Sequence, residues 1–211
     1  MTSEPQLEAA WDETARAAGV SGAQVNTVFA DLCGRYSESH RHYHTLRHVS
    51  AMLTTLAPHR GQCKDVAALE LAVWFHDAVY DARRGDNEEE SAAHVDAVLA
   101  PVGVSETTRD RVRGLILATK THTAPPGDTD CRMLLDADLA IFGATPGDYD
   151  AYAQAIRREY DWVSEADYRA GRARILRGFL DRERLFHTDA LSALEQPARA
   201  NLSREIEWLT Q

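Results

Sequence analysis

Residues 69–81 read LELAVWFHDAVYD, a run in which apolar side chains surround a histidine and an aspartate. Read as a helix, the segment is apolar on nearly every side, which is typical of a helix in the middle of a core. His76 and Asp77 are then about 100° apart around the helix, so both can reach one point in a groove between helices. A hydrogen-bonded core histidine is the competing interpretation of His76.

The rest of the chain repeats the helical period. Apolar residues recur every three or four positions, and most prolines and glycines fall between the periodic segments. We find no convincing alternation of period two, so the sequence predicts an all-α protein in a single domain over residues 1–211. Helices are expected near residues 5–18, 21–36, 42–57, 64–80, 88–100, 105–121, 129–142, 147–162, 165–186 and 195–210.

Composition limits the possible partners and the compartment. The chain carries 23 basic and 33 acidic side chains, a formal net charge of -10, which argues against coating of nucleic acid or binding to an anionic membrane. Three widely spaced cysteines fit a reducing compartment. The acidic start of the sequence has no apolar region of the kind found in signal peptides, and the apolar runs are too short to span a bilayer. We therefore expect a cytoplasmic protein.

The arginines of the C-terminal third are interleaved with acids, so we expect a solvated, salt-bridged helix face rather than a nucleic-acid surface. They are Arg157, Arg158, Arg169, Arg172, Arg174 and Arg177.

Asp138 is the acid that fits its helix least well. Five apolar side chains lie within about 60° of its direction on the predicted helix, whereas Asp136 points away. A lone carboxylate in such a stripe is costly, so it needs a metal, a cation or a full set of hydrogen-bond donors. Capping of a neighbouring helix or pairing with an internal arginine is the alternative interpretation.

Further polar candidates flank these segments. His44 and His48 share a helix face at a spacing of four, but Thr45 stands where a zincin would need its glutamate. Glu88 is the inward acid of its run, and His94 is expected to be a flanking surface histidine.

Two helix ends complete the set of candidates. Asn87 and Glu90 resemble a capping box that starts a helix at about residue 88. Lys120 and His122 lie at the edges of an apolar face, where either could instead cap the helix end.

Taken together, these segments resemble one subfamily of predicted metal-dependent phosphohydrolases in the HD superfamily, whose pattern is a His, a later His-Asp doublet and a distant Asp. The resemblance extends over most of the chain and is carried by HYHTLRHVSAML (42–53), LELAVWFHDAVYD (69–81), DNEEESA (86–92), ILATKTH (116–122), LDADLAIFG (135–143), IRREY (156–160) and GRARILRGFL (171–180). It implies a helical HD-type bundle with its metal-binding core at about residues 40–145 and additional C-terminal helices at about 146–211.

The resemblance also implies a ligand set for a divalent metal, namely His48, His76, Asp77 and Asp138. Asp136 is a weaker candidate near that site. Two imidazoles and two carboxylates suit Mn, Fe, Co, Ni or Zn better than Mg, although Mg is compatible. One metal is favoured and two are possible, with Glu88 as the first extra ligand.

The implied activity is hydrolysis of a small phosphoester, plausibly a nucleotide, by a metal-activated water. Asp77 is a ligand and a candidate proton acceptor, and Glu88 or Asp86 would position or deprotonate the water. The substrate phosphate would meet positive charge or donors from His44, Arg47, Lys120 and His122.

Two other functions remain open. One is an HD-type di-iron oxygenase, which would need both intervening histidines, His94 and His122, as ligands. The other is a non-catalytic ligand-binding module that keeps its metal for stability. The sequence leaves the oligomeric state and the substrate open.

Overall fold

The structure is a computed structural model and describes residues 4–211. Within this range the chain forms ten α-helices and no strand, so the all-α prediction is confirmed. None of the described helices is long and apolar enough to cross a bilayer.

The helices are α1 (Glu4–Ala17), α2 (Ala23–Tyr36), α3 (Leu46–Leu56), α4 (Val66–Phe75), α5 (Asn87–Leu99), α6 (Glu106–Thr119), α7 (Thr129–Leu139), α8 (Pro146–Glu159), α9 (Glu165–Leu180) and α10 (Glu195–Leu209). Short 3₁₀ helices occupy Ala57–Gln62, Ala140–Gly143 and Asp189–Leu194.

The described chain divides into two compact units. The first ends at Leu135 and the second runs from Asp136 to Gln211. The division falls inside α7, so this helix begins in the first unit and its last residues are counted with the second. The single domain over residues 1–211 stays a prediction.

Helix α4 lies in the core of the first unit, as its all-round apolar sequence predicts. Every residue from Ala68 to Phe75 is buried. The Trp74 ring meets Trp11 of α1 edge to face at 5.5 Å, and its indole nitrogen donates to Thr14 at 3.3 Å. Because burial of one large apolar side chain contributes about 1.5–3 kcal/mol, this helix anchors the unit.

Helix α4 ends at Phe75, whereas the sequence predicts a helix to residue 80. The next backbone groups bond to side chains that are distant in sequence. Arg41 donates to the carbonyls of Asp77 and Ala78 at 2.6 and 3.0 Å. The Ser91 hydroxyl accepts from Val79 N–H at 3.0 Å and donates to its carbonyl at 3.1 Å. His76 and Asp77 therefore lie in the turn that ends the helix.

Helix α3 begins at Leu46 rather than near residue 42. Thr45 is its N-cap, and its hydroxyl accepts from Arg47 N–H at 3.3 Å. A capping side chain satisfies an N–H group that has no partner inside the helix. His44 therefore precedes the helix, and the predicted shared helix face with His48 is wrong.

The predicted capping box at the start of α5 is also wrong. The N-cap is Asp86, which makes no side-chain capping bond. The Asn87 amide instead accepts from Asp81 N–H at 3.1 Å and donates to the Asp81 carbonyl at 3.0 Å. Asn87 thus closes the loop of residues 81–87.

Asp136 is fully buried, so the prediction that it points away from the core is wrong. Its carboxylate accepts from the backbone N–H groups of His187 and Thr188 at 2.6 and 2.7 Å and from the Thr188 hydroxyl at 2.6 Å. Burial raises the pKa of Asp136, and these donors oppose the rise. A full set of donors makes a buried carboxylate tolerable.

The segment after α9 departs from the predicted helix over 165–186 for a related reason. Glu195 accepts from the N–H groups of Leu185 and Phe186 at 3.0 and 3.2 Å. Side chains thus take the N–H groups of residues 185–188 that a continuing helix would use, and α9 ends at Leu180.

A buried ion pair lies in the core of the second unit. Arg172 of α9 donates to Glu205 of α10 at 2.8 Å, and Glu205 also accepts from the Tyr149 hydroxyl at 2.5 Å. The expectation of a solvated face is wrong for Arg172, whose side chain is buried. Such a pair is tolerated because each charge finds its partner and further hydrogen bonds.

Substitution of Ser91 tests the end of α4. We expect Ser91→Ala to lower the free energy of unfolding by about 1–3 kcal/mol, because both backbone groups of Val79 lose their partner. The measurement is urea unfolding followed by circular dichroism. Ser21→Ala, in an exposed loop, should change little. Equal stability of both variants and the parent would contradict the assigned role.

Candidate metal centre

Two histidines of the first unit face each other beside the end of α4. His48 lies in the first turn of α3, and His76 is the C-cap residue of α4. Both are buried, with 4% and 2% of their surface exposed. Their Nε2 atoms are 3.2 Å apart. The placement of His48 depends on the Thr45 cap, and that of His76 depends on the turn after Phe75.

The other ring nitrogen of His76 determines its tautomer. Nδ1 lies 2.9 Å from the Val73 carbonyl oxygen. Since a carbonyl oxygen only accepts, Nδ1 must carry the hydrogen, and Nε2 of the neutral ring presents a lone pair. This arrangement, in which a histidine donates one nitrogen's hydrogen to the backbone, is typical of metal ligands.

The carboxylate of Asp77 joins the two imidazoles. Its Oδ2 atom lies 2.9 Å from Nε2 of His76 and 3.9 Å from Nε2 of His48. Ligand atoms that bind one metal at about 2.1 Å are about 3.0–3.4 Å apart. The 3.2 Å between the two imidazole nitrogens lies in this range and the 2.9 Å from His76 to Asp77 is close to it, whereas the 3.9 Å from His48 to Asp77 is longer. Three lone-pair atoms at such distances need a cation or a proton between them.

Asp138 belongs to the same cluster. One ligand atom from each of His48, His76 and Asp138 lies within 4.8 Å of the others, so these three residues could hold a metal ion. Asp138 is half-buried and lies near the end of α7, the helix that begins at Thr129. The donor set of imidazole nitrogens and carboxylate oxygens suits a borderline divalent metal.

Electrostatics favour the charged form of Asp77. Burial raises the pKa of its carboxyl, but positive charge on the imidazoles of His76, His44 and His48, in their protonated forms, outweighs burial and holds the pKa well below its usual range. An ionised carboxylate is the form that binds a metal.

Arg41 supports this turn and is absent from the sequence-based set of site residues. Its buried guanidinium donates to the Asp77 and Ala78 carbonyls, pairs with Glu38 at 2.9 Å and lies 5.1 Å from the centroid of the Tyr36 ring. Its partners are 36 and 37 residues away in sequence. Periodicity carries no signal for such a contact.

The four residues predicted to bind the substrate phosphate lie in different surroundings. His44 stacks on Tyr80 with ring centroids 4.0 Å apart, and Arg47 is exposed. Lys120 donates to Glu89 at 2.5 Å and to the Gly85 carbonyl at 2.7 Å. His122 is half-buried and has a positive φ of 48°. Their roles in binding a phosphate stay predictions.

The predicted water-positioning acids lie at the start of α5. Asp86 is exposed and accepts from Arg84 at 2.8 and 2.9 Å, whereas Glu88 is half-buried. Their catalytic roles stay predictions. His94 is not the surface histidine expected from the sequence, because its side chain is 10% exposed and its Nε2 lies 2.6 Å from Asp31.

No family model matches the chain, and neither the curated proteins nor the solved structures contain a match. The fold and the site are therefore the basis for classifying it, as an all-helical protein with a His-His-Asp cluster that could hold a metal ion.

Metal titration tests the cluster. We expect the protein to bind Co²⁺ or Mn²⁺, and His48→Ala and Asp138→Asn to weaken binding at least about tenfold, since even residues that only orient metal ligands contribute about 10- to 100-fold. Isothermal titration calorimetry measures the affinity. His59→Ala, at a histidine that does not belong to the cluster, is the control. Binding unchanged in both cluster variants would exclude this site.

A second substitution tests the support from Arg41. Arg41→Lys keeps the charge but loses the planar fork that reaches two carbonyls, so we expect a loss of about 2 kcal/mol in unfolding free energy. We also expect weaker Co²⁺ binding. Arg16→Lys, on the exposed side of α1, is the matched control. A variant with parental stability would show that Arg41 is dispensable for the turn.

Proposed function

We propose that the protein is a metal-dependent phosphohydrolase of the HD type that acts on a small phosphoester such as a nucleotide. The observation that carries the proposal is the gathering of His48, His76 and Asp138, with Asp77 beside both imidazoles. These are the residues on which the sequence resemblance rests. His48, His76 and Asp138 lie 28 to 90 positions apart in the chain, so their proximity is a property of the fold.

The metal-ligand role is assigned to His48, His76, Asp77 and Asp138. A divalent metal bound there supplies an acidified water and neutralises charge on a phosphoryl oxygen. The protein's own part is to hold the donors in place before the metal binds. The Val73 carbonyl fixes the ring of His76, and Arg41 fixes the backbone of Asp77. Asp77 is also the proposed proton acceptor, because its carboxylate lies beside both imidazoles.

Positive charge for a phosphate has to come from individual residues in this acidic chain. His44 is the best placed, because its imidazole interacts with the Asp77 carboxylate and lies 6.1 Å from the His48 ring centroid. Lys120 would have to exchange its bond to Glu89 for one to the substrate. Arg47 and His122 complete the proposed phosphate contacts, and Glu88 or Asp86 would orient the water.

A single metal is the simpler form of the proposal. A two-metal site would recruit His94 and His122, but His94 is bonded to Asp31. Asp31 pairs in turn with Arg35 at 3.2 Å, so His94 lies in a separate charged group. This arrangement supports the hydrolase over a di-iron oxygenase.

A screen of phosphate release tests the function. The protein is incubated with mono- and diesters, including nucleotides, in the presence of Mn²⁺, Co²⁺, Ni²⁺, Zn²⁺, Fe²⁺ or Mg²⁺. We expect activity with at least one metal, and a loss of at least about 100-fold in Asp77→Ala and Asp138→Asn, because removal of a metal ligand or proton acceptor costs that much or more.

Asp161→Asn, at an exposed position, is the control and should retain full activity. Activity that survives both cluster substitutions would place the site elsewhere. Two irons per chain with no phosphatase activity for any metal would support the oxygenase instead.

A further inference from the structure

The second unit contains a pocket that the proposed hydrolase chemistry does not use. It is half-open, has a volume of about 720 Å³ and lies among residues of α8, α9 and α10. Pockets for small molecules usually measure about 300–1,000 Å³ and have mostly apolar walls with a few polar groups. The size alone therefore admits an organic ligand.

Aromatic rings form much of the lining. Tyr149 and Tyr168 are buried, whereas Trp208 is 53% exposed. An exposed indole beside a pocket offers a flat apolar face at little conformational cost, and aromatic rings stack on such faces. Arg169 lies 5.0 Å from the Trp208 ring centroid and donates to the Trp208 carbonyl at 2.5 Å, which holds this end of α10 in place.

The charge of the lining is positive in an otherwise acidic protein. Three arginines and two acids line the pocket. Two of the arginines have acid partners: Arg157 is 3.1 Å from Glu165, and Arg204 is 2.6 Å from Asp150. The acid Glu205 is paired with Arg172.

Arg158 remains without a counter-charge. It is exposed, it lines the pocket, and within residues 4–211 the structure gives it no carboxylate partner. After the other pairs are matched, the pocket thus offers one uncompensated guanidinium next to aromatic walls. A guanidinium binds a carboxylate or a phosphate through paired hydrogen bonds.

We propose that this pocket binds a planar aromatic anion, with the ring against Trp208 and the carboxylate or phosphate on Arg158. The site differs from the metal cluster in its residues and in its chemistry. Nothing in the proposal depends on the hydrolase activity.

Binding of 1-naphthoate tests the proposal, with 1-naphthalenemethanol as the neutral analogue of the same shape. Equilibrium dialysis with the protein of residues 1–211 gives both affinities. We expect naphthoate to bind more tightly than the alcohol, and the difference to shrink as salt is raised from about 0.05 to 0.5 M.

Variants locate the bound probe. Trp208→Ala should weaken naphthoate binding about tenfold or more through loss of stacking. Arg158→Gln should weaken it about 5- to 10-fold and remove the preference for the anion, and Arg158→Lys should restore part of it. Trp162→Ala is the matched control, since Trp162 is similarly exposed at 49% but does not line the pocket.

Several outcomes would overturn the proposal. They are absence of binding, equal affinity for the acid and the alcohol, and affinity that survives both Trp208→Ala and Arg158→Gln. Loss of naphthoate binding in Asp138→Asn but not in Trp208→Ala would assign the probe to the metal cluster. If the Asp138→Asn variant still binds naphthoate and the parent shows no phosphatase activity, the hydrolase proposal is refuted and the pocket proposal stands.

Discussion

A buried helix that ends leaves backbone groups without a partner inside the helix, and in this protein two side chains bond to them. Arg41 takes the carbonyls of Asp77 and Ala78, and Ser91 takes both polar groups of Val79. An unpaired buried carbonyl costs about as much as a lost hydrogen bond, so these partners stabilise the turn. The positions of His76 and Asp77 depend on it.

Sequence patterns predicted those parts of the structure that depend on local periodicity. The helical class and the burial of α4 follow from the spacing of apolar residues, since a segment that is apolar on all sides has to be covered on all sides. The proximity of His48 and His76 to Asp138 was expected from the family resemblance. This expectation rested on the type and order of the ligand residues in the sequence, which do not depend on the side chains around the site.

Features that depend on contacts between distant residues were not predicted. The helical wheel of α7 assumes one apolar face, so it placed Asp136 towards solvent, whereas the backbone of residues 187–188 covers that carboxylate. The ends of α4 and α9 were misplaced for the same reason, whereas the start of α3 is set by the local cap of Thr45 on Arg47 N–H. Each end is fixed by a side chain that takes a backbone group, and propensity describes only the helix interior.

The contact between His76 and the Val73 carbonyl has a consequence for the affinity with which these donors could bind a metal ion. The ring is held by its own helix, and the Nε2 and Oδ2 atoms of the first unit already lie within 3.9 Å of one another. Little conformational entropy remains to be lost when an ion enters, because the side chains are already ordered. An ion bound there would therefore be held more tightly than by the same donors on mobile side chains.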